Sequence, residues 1–157
     1  NAGSRIISVR KNLIDYLINI IAEGLAENRP IRAIARDLRK LINSPKFYDW
    51  QILRIVRTET TAAANNGAIV AANTTGVALE KIWISSLDAR TRTIPPDQFD
   101  HIEMEGVTAD QGQPFNVQGD LLQFPGDPQG QAANVINCRC TVALQPKRDT
   151  QGRLLLT

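Results

Sequence analysis

The sequence predicts an α+β fold: about three N-terminal helices, then a small, mostly antiparallel sheet with long loops. Three observations carry that expectation. Apolar residues recur at helical spacing as far as about Asn73, β-formers cluster just after Gly76, and turn-forming residues crowd 87–136. The chain accordingly divides into a helical extension, 3–45, and an α+β domain, 46–157.

From about Arg5 to Leu25, Ile6, Val9, Leu13, Ile14, Leu17, Ile20, Ile21 and Leu25 fall at helical intervals. Pro30, a favoured first helical residue, opens a second helix to about Ile42. Ile31, Ile34, Ala35, Leu38, Leu41 and Ile42 share one side of it, and Arg32, Arg36, Arg39 and Lys40 the other. Such a charged side is the ordinary solvated face of a surface helix; its second reading is a contact for DNA or an acidic partner. Asn43-Ser44-Pro45 is a stop and restart, after which a third helix is expected from about Lys46 to Asn73. Its first half is bulky (Phe47, Tyr48, Trp50, Ile52, Leu53). Its second half is small (Ala62 to Ala64, Gly67, Ala68, Ala71, Ala72), so another backbone should approach it closely.

Beyond Gly76, residues Val77 to Ser86 read as a strand around Ile82-Trp83-Ile84. Short strands are expected at Phe115–Val117 and Leu121–Phe124, one helical turn at Gln131–Ile136, a strand at Cys138–Leu144 and a last one at Arg153–Leu156. Pro95-Pro96, Pro114 and Pro125-Gly126-Asp127-Pro128 mark the loops between them.

Hydrophobic residues make up 43% of the chain and charged residues 22%, ordinary values for a soluble globular protein. The net charge of +2 conceals a basic first part, residues 1–60, and an acidic remainder. Asn1-Ala2 reads as a remnant of tag removal, and the chain as a piece of a longer protein. No apolar run is long and charge-free enough to span a bilayer, so no membrane is expected. Cys138 and Cys140, one residue apart, are badly spaced for a mutual disulfide, which fits a reducing compartment.

Glu59 falls on the same helical face as Ile52, Ile55, Val56 and Ala63. A carboxylate there needs a cation, and Arg90 and Arg92 are the expected partners. With Arg57, Asp88, His101 and Asp127 they would form a structural network tying long loops to the third helix. On that expectation Glu59→Ala costs a few kcal/mol, as breaking a buried pair does.

An ordered set of motifs then resembles a known family. Arg57-Thr58-Glu59, Lys81-x-Trp83, Leu87-Asp88-x-Arg90-Thr91-Arg92, His101 with Gly106, Phe115, Phe124-Pro125-Gly126-Asp127-Pro128 and Asn137-Cys138-Arg139-Cys140 together resemble the phage Mu F-like minor head proteins, the phage head-morphogenesis family. The likeness covers roughly residues 30 to 145 and departs from the family at Ile94–Asp100, an enlarged spacing before His101. It implies a non-enzymatic structural and assembly protein of a phage or prophage head, acting at the portal or inner capsid. It further implies a place in the virion or procapsid interior, assembled in the bacterial host cytoplasm, with portal and capsid proteins and packaged DNA as partners and no small-molecule substrate. The family is considered distantly similar in fold to ADP-ribosyltransferases.

Three chemistries attach to these residues. His101, Cys138 and Cys140 supply three zinc ligands, with Asp88 or Asp100 as a fourth; the competing reading makes the cysteines small buried hydrophobes and hydrogen-bonds His101 to Asp88 or Glu59. No other cofactor is expected. A cysteine nucleophile beside His101 and Asn137 would need an accessible thiolate, and a structural protein has no call for one. Glu103-Met104-Glu105 with Ser85-Ser86 imitates an ADP-ribosyltransferase or toxin module, but Arg57 lies on a helix where that chemistry wants a strand arginine.

Overall fold

The computed structural model describes residues 15–42 and 48–157. Two compact units emerge, 1–60 and 61–157, dividing inside the third helix where the sequence suggested 45/46.

The first unit is held by helical periodicity. Helix α1 occupies 15–26 and helix α2 Ile31–Leu41, while helix α3, Asp49–Asn73, contributes its first half. Ile21, Ile34, Leu38, Ile52 and Val56 form one buried cluster, flanked by Leu17, Ile20, Leu25, Ala35 and Ile42. These are the apolar positions of the two-faced α2 pattern and their neighbours. Gly24 allows the close approach of α1 to α2, because a Cβ there would lie 2.5 Å from Ile34 Cγ1. At the start of α3, Tyr48 N–H donates to Gln51 Oε1 at 2.9 Å and Tyr48 O accepts the Gln51 N–H, a reciprocal closure of orphan groups.

The second unit is built on strand β1, Leu79–Ile84. It is the centre of a three-stranded antiparallel sheet, flanked by β2 (Thr108–Asp110) and by β5 (Thr141–Pro146), with Trp83 opposite Val142. Strands β3 (Phe115–Val117) and β4 (Asp120–Leu122) form a separate hairpin. Its two turn residues, Gln118 and Gly119, have φ of 45° and 90°, the positive pair that a tight twisted hairpin demands. A one-turn helix α4, Ala132–Val135, precedes β5. The alternation of β1 aims Leu79, Lys81 and Trp83 inward. Trp83 is fully buried among Phe99, Met104, Phe115, Val117, Leu122, Phe124, Val135, Cys138, Cys140 and Val142. Burying such a side chain contributes on the order of 2–3 kcal/mol.

The small half of α3 is covered as its composition predicts. Ala68 and Ile69 pack against this core and Ala72 is buried. Gly126, at φ 82°, brings the Phe124–Pro128 loop within 3.6 Å of the Ala62 nitrogen, measured from where a Cβ would stand. Buried Asn65 fixes the same face. Its Nδ2 donates to Pro125 O and Cys140 O at 2.7 and 3.2 Å, and its Oδ1 accepts from Val142 N–H and Thr141 Oγ1 at 3.1 and 3.0 Å.

The α+β class, helices first and a small antiparallel sheet after, is therefore the architecture of the chain. Several elements differ from expectation, among them β4, which spans Asp120–Leu122 where Leu121–Phe124 was expected. Helix α3 starts at Asp49, and the Arg5–Ile14 part of the first helix lies outside the described residues, as does the Asn43-Ser44-Pro45 restart. Strand β5 begins at Thr141 because the cysteines occupy the turn before it. Arg153–Leu156 makes only isolated bridges, Val77 with Leu156 and Arg148 with Leu154. Strand β2 had no sequence signal, since its mostly exposed Thr-Ala-Asp pattern buries nothing fully. Among the described residues no helix is long and apolar enough to cross a membrane.

Candidate metal centre

Three segments of the second unit converge on one buried point. The first is the loop carrying His101. Asp100, itself buried, organises it: Oδ1 accepts the Ile102 and Glu103 N–H groups at 2.8 and 2.9 Å, and Oδ2 accepts Ile94 N–H and Thr93 Oγ1, each at 3.0 Å. The Glu103 N–H, ahead of the Ile94 N–H and Thr93 hydroxyl, holds the Asp100 carboxyl below the usual carboxylate range despite burial. The Ile94–Asp100 stretch is thus closed on its own carboxylate. His101 N–H donates to Arg92 O at 3.0 Å, and the ring stands edge-on to Trp83 with centroids 5.2 Å apart.

The second segment is the turn Asn137–Cys140. Asn137 adopts φ 63°, and Cys138 N–H donates to Val135 O at 3.2 Å, tying the turn to α4. From α3, Thr61 Oγ1 donates to Cys138 O at 3.1 Å while Asn65 holds Cys140 O. Both cysteines consequently face one side, and Arg139 between them turns to Asp88. The third segment is α4 itself, which supplies Asn134.

His101 Nδ1 lies 3.7 Å from Cys138 Sγ and 3.5 Å from Cys140 Sγ. The three ligand atoms fall within 4.8 Å of one another, and His101, Cys138 and Cys140 are 1%, 2% and 3% exposed. Two sulfurs and an imidazole nitrogen form a donor set suited to a thiophilic ion. The thiols are split by their mutual hydrogen bond. Cys138 is pushed up, by its bond to Cys140 and then by burial, and Cys140 is drawn down, chiefly by the same bond. On the far side of the ring, Nε2 meets Asn134 Oδ1 at 2.7 Å, and Asn134 Nδ2 donates to Asp120 Oδ2 at 2.8 Å.

The expected fourth ligands are engaged elsewhere. Asp88 pairs with Arg139 and with Arg90, the latter at 3.3 Å, and the Arg139 bond leads the causes that hold its carboxyl down at about 2. Asp100 is spent on backbone N–H groups. The carboxylate expected beside His101, Asp88 or Glu59, is replaced by the Asn134 amide.

The seven-residue network does not assemble as one body. Glu59 is exposed although it lies on the same face of α3 as buried Ile52, two turns further along. Arg90 serves Asp88, and Arg92 donates to the carbonyls of Ala133 (2.8 Å) and Ile136, closing the C-terminal end of α4. Arg57 is half-buried on α3. Asp127 is buried and accepts Gln123 and Gln129 N–H at 2.8 and 2.9 Å, tying its own loop. On α2, Arg32, Arg36 and Lys40 are exposed, and Arg39 pairs with Asp49 at 3.1 Å; Arg32, Arg36 and Arg39 line an open depression floored by Ala35, Ile52 and Leu53. Glu105 accepts the Ser85 N–H, and Met104 is core, so Glu103-Met104-Glu105 serves as a turn.

Several residues that shape the site escaped the sequence reading. Asn65 and Lys81 sat at legible inward positions, on the Thr61–Ala68 face and in the Leu79–Trp83 alternation. Lys81 Nζ donates to Gln123 O at 2.8 Å, and burial pushes its pKa down. Asn134 and Asp120 gave no sequence signal, since their roles depend on contacts between α4 and the hairpin.

Comparison with protein-family models, curated proteins and solved structures finds no match to this chain. Nothing in those comparisons supports a likeness to ADP-ribosyltransferases.

Proposed function

We propose that the chain is a non-enzymatic structural and assembly protein of a phage or prophage head, its second unit stapled by zinc on His101, Cys138 and Cys140. The observation that carries the staple is the convergence of three buried ligand atoms within 4.8 Å of one another. A bound zinc would cross-link the His101 loop to the Cys138–Cys140 turn, adding stability to a unit whose ladders are short. Burial of all three donors favours a structural ion over a catalytic one, which keeps an open position.

The motif set that resembles the Mu F-like proteins carries the assembly role, at the portal or inner capsid of the virion or procapsid, formed in the host cytoplasm. The Arg32, Arg36, Arg39 and Lys40 face of α2 would make a weak, salt-sensitive contact with packaged DNA. An ADP-ribosyltransferase or toxin module has no observation in its favour, since Glu105 is occupied by the Ser85 amide.

Co-purification with the portal protein of the same phage or prophage tests the assembly role. A complex that persists at high salt is the expected result; retention only at low salt, or none, would reject portal binding.

A further inference from the structure

We propose that Asn134 and Asp120 are positioning residues that hold the His101 ring hydrogen on Nε2 and so present Nδ1, as the acceptor, to the two sulfurs. Asp120 Oδ2 accepts the Gln131 N–H at 2.9 Å, so that oxygen is an acceptor. The end of the Asn134 amide that faces it at 2.8 Å must then be the NH2. This places Asn134 Oδ1 against the imidazole at 2.7 Å, and a carbonyl oxygen can only accept. Nε2 must therefore carry the hydrogen. The opposite nitrogen, Nδ1, is the one 3.5 and 3.7 Å from the Cys140 and Cys138 sulfurs. That is the tautomer in which imidazole ligates a metal through Nδ1, with its other nitrogen oriented by an outer partner.

The chain is built rather than incidental. His101, Asn134 and Asp120 are 1%, 0% and 9% exposed, so solvent offers little substitute for a lost bond. Turning the amide over would set its oxygen against Asp120 Oδ2 and its NH2 against the ring, breaking two buried bonds at once. Gly130 lets α4 lie this close to the hairpin: a Cβ there would stand 2.2 Å from Leu122 Cδ2 and 2.8 Å from Val135 Cγ1. The metal part of the proposal rests on the zinc reading above; the placement of the hydrogen does not.

His101 is the chain's single histidine, so a sample labelled with 15N-histidine shows one ring. Two-bond nitrogen–proton couplings at neutral pH are expected to place hydrogen on Nε2 in the parent protein. Asp120→Ala removes the acceptor that fixes the Asn134 amide, giving a mixed ring and a Zn2+ affinity roughly 10–100-fold weaker by chelator competition. The conservative variant Asp120→Asn, whose amide oxygen still accepts both the Gln131 N–H and the Asn134 NH2, should keep both readouts close to the parent's. Hydrogen on Nδ1 in the parent, alone or together with Nε2, overturns the proposal, and so does an Asp120→Ala protein with unchanged ring and unchanged Zn2+ affinity. A parent ring with hydrogen on Nε2, displaced in Asp120→Ala, in a protein that takes no Zn2+ upholds the positioning and rejects the zinc reading.

Discussion

The two units reach stability by different means. In the first, α1, α2 and the start of α3 pack Ile21, Ile34, Leu38, Ile52 and Val56 into one apolar cluster, and side-chain ties such as Arg29–Asp37 and Arg39–Asp49 lie outside that cluster. In the second, short strands leave many backbone groups without a ladder, and buried polar side chains complete them. Asn65, Asp100 and Asp127 each satisfy two or more backbone groups. A helical unit is thus specified by where its apolar residues fall, and a loop-rich unit by which polar residues are buried. The two should respond in opposite ways to apolar and polar substitution.

The largest expected effect is at Asn65. Asn65→Leu leaves the Val142 N–H and the Pro125 and Cys140 carbonyls without their partner, and should cost about 3–5 kcal/mol. Urea unfolding followed through Trp83, in a Trp50→Phe background, measures it; a loss under 1 kcal/mol would break the comparison. In the first unit, Leu38→Ala should cost about 2–5 kcal/mol through its cavity, read by circular dichroism at 222 nm. Glu59→Ala, by contrast, should stay within about 0.5 kcal/mol, as exposed positions do. This reverses the expectation of a few kcal/mol that followed from placing Glu59 on the apolar face.

The smallest effect concerns acid. The Asp88 carboxyl is held at about 2, so it is ionised at lower pH in the folded chain than in the unfolded one. Its contribution to stability is fully present above the unfolded carboxylate value of roughly 4 and is lost as pH falls through about 2. Asp88→Asn should flatten the stability profile in that window and leave it parallel to the parent's above it.

The same contrast explains what could be read in advance. The apolar face of α2 followed from spacing, and the covered half of α3 from its small residues. His101, Cys138 and Cys140 were found by residue type, since they are the chain's whole stock of imidazole and thiol. Their partners were not. Arg90 and Arg92 were assigned to Glu59 by charge, whereas Arg92 closes α4 and Arg90 serves Asp88. Hydrogen bonds to backbone carbonyls leave no trace in composition, and Asn134 acquires its meaning only once α4 lies against the β3–β4 hairpin.

On the proposed reading, the His101, Cys138 and Cys140 cluster holds a structural metal. Metal content of the full chain purified without chelator, compared with Cys138→Ser and Cys140→Ser proteins, tests it most directly. The account predicts about one zinc per chain in the parent, lost in both variants, with a lower Tm for the second unit after chelation. A parent free of zinc that takes up none when supplied, and whose Tm is indifferent to chelator, would contradict it.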